Sequence, residues 1–104
     1  MMVFGKSELY YTEPVAAAEA NAVGKLLMQT GFFRDDREAA VHIAQEDGAF
    51  QLKFVIDPSR AADPTVKKAF IDLSRNVAVE ALGERPVFLH LCDGNFATLY
   101  SERL

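Results

Sequence analysis

The sequence predicts an α+β domain, a two-layer sandwich with two helices on one face of a mostly antiparallel sheet, in the order β-α-β-β-α-β-β. Three observations lead there. Two stretches with apolar residues at helical spacing each follow an acidic residue and a proline, Glu13-Pro14 and Asp63-Pro64, and each closes on a glycine, Gly31 and Gly83. Two runs of alternating apolar residues turn near Asp-Gly, at Asp47-Gly48 and Asp93-Gly94. Helix-then-hairpin order, used twice, suits helices gathered on one side of a sheet. A relative of the ferredoxin-like sandwich is one arrangement of these elements. At 104 residues the chain has the length of one domain, so residues 1–104 are read as a single unit.

Each element has a local reason. "ELYYT" (Glu8 to Thr12) is aromatic and β-branched, the composition of a short strand. A helix is expected from "TEPVAAAEA", where Thr12 or Glu13 accepts from free amides and Pro14 fits the first turn. Ala16, Ala20, Val23 and Leu27 mark its inner face, and Gly31 offers the left-handed position that ends it. In "AAVHIAQEDGAFQLKFVI" the pair Asp47-Gly48 suits a tight two-residue turn. That turn sets Ile43 opposite Leu52, Val41 opposite Phe54 and His42 opposite Lys53. Val66, Phe70, Leu73, Val77 and Ala81 give the second helix its stripe, and Gly83 and Pro86 stop it.

The last hairpin contains "HLCD", His90 to Asp93, with the only cysteine of the chain. Alternation sends Val87, Leu89 and Leu91 to one face and Phe88, His90 and Cys92 to the other. A three-residue loop at Asp93-Gly94-Asn95 pairs Leu91 with Ala97 and Leu89 with Leu99, with Asn95 in the left-handed conformation.

Composition narrows the function classes. The net charge is −4, and the basic residues are scattered among more numerous acids. Nucleic-acid backbones and anionic membranes both draw on Lys and Arg, so neither partner is expected. One cysteine cannot form an internal disulfide, no apolar run approaches a membrane span, and the first residues lack the core of a signal peptide. A cytoplasmic location is the expectation. "GKS" at Gly5 to Ser7 lacks the leading glycine of a phosphate loop and precedes a strand. "RDDRE" (Arg34 to Glu38) reads as a solvated loop with internal charge pairing.

"ELYYTEPVAAAEANAVGKLLMQTGFF" and "PVFLHLCDGNFATL" together resemble a small bacterial domain family of unknown function. Its pattern is an ELYYT-x-P-V opening, a helix ending in GFF and a closing PV-x-x-HLCD segment. The resemblance spans nearly the whole chain. It implies a compact domain, a module that can be attached to other proteins, and carries over no catalytic residue or ligand.

The parity of all strands places Tyr10, His42, Val55, Phe88, His90, Cys92, Phe96 and Tyr100 on the face away from the helices. Monomers seldom leave so apolar a face bare. Three occupants compete. The first is a protein partner, most simply a second copy in a homodimer, with a terminal segment such as "MMVFGKS" as the intramolecular substitute. The second is a small apolar or aromatic ligand oriented by His90 and Tyr100. The third is chemistry at His90 and Cys92, since a histidine beside a thiol favours the thiolate. That third reading lacks an orienter for His90 and an oxyanion-stabilising element. A metal would find only His90 and Cys92, with His42 on another hairpin, where structural zinc takes four ligands. The sequence therefore favours a non-enzymatic interaction module without cofactor or metal, with a small-ligand or reactive-thiol site around His90 and Cys92 as the alternative.

Overall fold

The computed structural model describes residues 1–33 and 38–104 and is an α+β sandwich of six strands and two helices. The strands are β1 (Met2–Phe4), β2 (Ser7–Tyr11), β3 (Ala40–Glu46), β4 (Ala49–Val55), β5 (Val87–Cys92) and β6 (Thr98–Arg103); the helices are α1 (Ala17–Gln29) and α2 (Pro64–Ala81). Sheet order follows chain order from β1 to β6. Hairpins β1–β2, β3–β4 and β5–β6 are antiparallel, and each helix connects neighbouring parallel strands, β2 to β3 and β4 to β5. Neither crossover is split by an intervening strand, which separates this topology from the ferredoxin-like arrangement.

The β3–β4 hairpin has the expected register, Val41 with Phe54, His42 with Lys53 and Ile43 with Leu52. Asp47 and Gly48 both take positive φ, 52° and 78°, as the tight turn requires. Helix α2 starts as expected: Asp63 caps it by accepting from the Thr65 amide at 2.9 Å, and Pro64 occupies the first turn. Helix α1 starts later than expected. Its cap is Ala16, whose amide donates to Glu19 Oε1 at 3.0 Å, while Thr12 instead closes a turn by accepting from the Val15 amide.

The core lies between the helices and one face of the sheet. Leu9, Val41, Ile43, Leu52, Phe54, Leu89 and Leu91 meet Ala20, Val23 and Leu27 of α1 and Val77 of α2, all fully buried. Phe32 stands edge-on to Phe54 and Phe70, with centroids 5.3 and 5.7 Å apart, and ties the sheet to α2.

Two further features depart from the sequence reading. The first residues form β1 at the sheet edge and do not lie over the open face. Met2 and Phe4 point toward α1, and the Phe4 ring stacks on Phe33 at 5.6 Å and occupies the space a Cβ on Gly24 would need. The last hairpin turns one residue later than expected: the Asp93 amide donates to Ala97 O at 3.0 Å, and Phe96, not Asn95, takes the left-handed conformation, with φ 61°. Asp93 Oδ1 accepts from the amides of Asn95 and Ala97 and holds this turn. Cys92 then pairs with Thr98, but Leu91 pairs with Tyr100, because Leu99 is inserted as a β-bulge. From there on every β6 side chain changes face.

Candidate functional site

The helix-free face is organised by one cross-strand row. Tyr10, His42, Lys53, His90 and Ser101 sit side by side on β2, β3, β4, β5 and β6. Of the residues the sequence assigns to this face, Tyr10, His42, Val55, Phe88, His90 and Cys92 occupy strand positions of that parity. Phe96 joins them from the loop. Its ring packs edge-on against Tyr10 and His42, with centroids 5.9 and 5.6 Å away. An aromatic residue at positive φ is uncommon, and here it directs the ring back over the sheet.

Tyr100 does not belong to this face. It pairs with Leu91, packs against the core and lies under the Lys67 ammonium of α2, which stands 4.3 Å from its ring centroid. The bulge at Leu99 is the reason: one extra residue reverses the alternation, so Tyr100 goes under the helix. Ser101 and Arg103 take the outward positions instead, and the Arg103 guanidinium lies 6.0 Å from the Phe88 ring.

His90 is held at both nitrogens. Gln51 Oε1 faces Nε2 at 2.5 Å and can only accept, so Nε2 carries the proton. Nδ1 then accepts from the Thr98 hydroxyl at 3.1 Å. Burial, and next the Lys53 charge, lower the pKa of His90, and the same causes in the same order lower that of His42. Both imidazoles flank one ammonium and are neutral near pH 7.

Cys92 is fully buried, on the open-face side, with its thiol in hydrogen-bonding contact with Thr98. Burial raises its pKa and outweighs the lowering by Thr98 and Lys53. A nucleophilic thiol needs the opposite shift and access to solvent. His90 has both nitrogens engaged, leaving neither lone pair nor proton directed at the sulfur. Among the described residues, no three or more His, Cys, Asp or Glu side chains gather as a metal site. Arg34 to Arg37 of the acidic loop lie outside the described residues, and Glu38 is exposed.

Gln51 and Thr98 are the residues that define the site's chemistry, and the sequence analysis singled out neither. A polar residue on an alternating strand carries no signal of its partner until the neighbouring strand is known. Lys53 is the central cation, half-buried between the two histidines. The arrangement is a polar row that starts at Tyr10 and is fringed by Phe96 and Phe88.

No family model matches this chain, and no curated protein or solved structure matches it. Among the described residues, no helix is long and apolar enough to cross a membrane.

Proposed function

We propose that this domain is a non-enzymatic interaction module that pairs with a second copy of itself through the helix-free face of its sheet. The observation behind this reading is the one-sided sandwich. Both helices pack against the core face, while Tyr10, His42, Phe88 and Phe96 stand on the other, with no layer of the described residues over them. Two such faces can pack as aligned sheets, with the side chains of each filling the gaps of the other. Twofold pairing needs only that the patch complement itself. The neutral histidines add no charge to this face beyond the Lys53 ammonium, which has to keep its head in water or at a polar partner when two faces pack. Membership of the small bacterial domain family that the ELYYT-x-P-V and PV-x-x-HLCD segments resemble is part of the same proposal and fits an attachable module.

Sedimentation velocity over a wide concentration range tests the reading. Wild-type protein is expected to dimerise. Phe88→Asp and Tyr10→Asp, on solvent-facing parity, are expected to keep the fold by circular dichroism and to lose the dimer. Association unchanged in both variants overturns the proposal.

A further inference from the structure

The sheet ends on β6, and no described strand pairs with its outer edge. That edge is long enough to be a template. It spans six residues with no proline, and most of its side chains are exposed. The opposite edge, β1, is only three residues long. Proteins that must keep an edge unpaired shorten or interrupt it, as β1 illustrates; β6 is interrupted only at the Leu99 bulge, and from Tyr100 to Arg103 it runs in unbroken register with β5.

Hydrogen-bond direction identifies the free groups. The Leu104 amide donates to Val87 O at 2.9 Å, continuing the register that pairs Phe88 with Arg103. In an antiparallel ladder, alternate residues turn their N–H and C=O toward the neighbour. Leu104, Glu102 and Tyr100 therefore face β5, and the main-chain groups of Ser101 and Arg103 face outward.

We propose that β6 pairs antiparallel with β6 of a second copy, about a twofold axis perpendicular to the sheet at Ser101, so that two six-stranded sheets become one. Ser101 and its counterpart exchange two main-chain hydrogen bonds at the centre. A twofold axis of this kind keeps both helix layers on one side, so residues of like parity must meet. Centring on Glu102 would set two carboxylates against each other, whereas centring on Ser101 sets Tyr100 against Glu102 of the second copy. It also brings Arg103 of the second copy to Leu99, which is 43% exposed in the single chain and gains cover from the arginine stem. No like charges oppose one another in this register. This interface goes beyond the face-to-face reading: it uses main-chain groups at the edge and leaves the helix-free faces side by side and open.

The test is sedimentation velocity on four variants with the wild type, each checked for folding by circular dichroism. Ser101→Pro removes an N–H on the outer edge of β6, where no described strand pairs, and is expected to abolish edge pairing. Ser101→Lys and Ser101→Glu each place like charges at the twofold centre and are expected to associate several-fold more weakly alone. Their equimolar mixture is expected to recover association, which a general loss of stability would not produce. Phe88→Asp separates the two interfaces. If it abolishes all association while the Ser101 variants behave as wild type, the edge proposal fails and the face reading stands. If association survives Phe88→Asp but follows the Ser101 charges, the edge is supported and the face reading fails. A strictly monomeric wild type, or a mixture no tighter than its components, overturns the edge proposal.

Discussion

The imidazole of His90 donates from Nε2 to Gln51 Oε1 across the β4–β5 pair, 2.5 Å away, with the Lys53 ammonium in the same row. The bond requires one tautomer, and burial together with Lys53 disfavours the second proton. Glu46 opposes this with a weaker upward effect.

Stability should consequently fall on mild acidification. The folded-state pKa of both histidines is depressed below the free value of about 6.5. The unfolded chain therefore takes up protons first as pH drops, and the stabilising contribution, complete above pH ~6.5, is lost as pH falls toward the folded-state values. Thermal unfolding between pH 7.5 and 5 should show a falling Tm, and the slope should flatten in a His42→Gln, His90→Gln double variant. An unchanged slope would place the acid sensitivity elsewhere.

Gly24→Ala should destabilise the protein despite better helix propensity. Alanine gains about 1 kcal/mol over glycine within a helix. A Cβ here would stand 2.1 Å from Phe4 Cζ, so the ring must leave its place against Phe33. Overpacking of this kind costs about 1–3 kcal/mol. Urea unfolding should give a net loss for the single variant, and the same substitution in a Phe4→Ala background should instead be stabilising. A more stable Gly24→Ala protein would show that β1 moves aside freely.

Phe96→Gly should be more stable than Phe96→Ala. Both lose the ring contacts with Tyr10 and His42, but only alanine retains a side chain at φ 61°. The left-handed conformation costs about 1–2 kcal/mol for a residue with a Cβ. Chemical denaturation of the pair measures that difference; equal stability would mean the loop relaxes out of the left-handed region.

Cys92 should react slowly with a disulfide exchange reagent while the protein is folded and fully once it is unfolded. Its burial and raised pKa set both expectations. His90→Ala should not slow the native reaction, because that imidazole is bonded to Gln51 and Thr98. Fast native labelling that depends on His90 would restore the reactive-thiol reading.

How much was legible in the sequence follows from the range of the interactions involved. Asp47-Gly48 and the alternation beside it are local, and they settle the β3–β4 register. Asp63-Pro64 marks the start of α2 because the cap and the missing amide act within one turn. The outward positions of His42, Lys53 and His90 follow from period two alone. β1 was missed because three residues hold too little alternation to signal a strand, and what seats it is Phe4 over Gly24, twenty residues away in the chain.

Tyr100 marks the limit most clearly. Parity carries across a hairpin only while each residue has one partner, and Leu99 has none. Nothing between Cys92 and Leu104 states whether Leu99 or Tyr100 will fill the space under α2. That choice depends on Lys67 and the core beneath the helix, which the folded chain alone brings to Tyr100. Residue order by itself determined the helices, the central hairpin and the alternating faces, because those rest on contacts within a few residues. Only the tertiary structure decided which aromatic residues remain on the open face and which strand edge is left free.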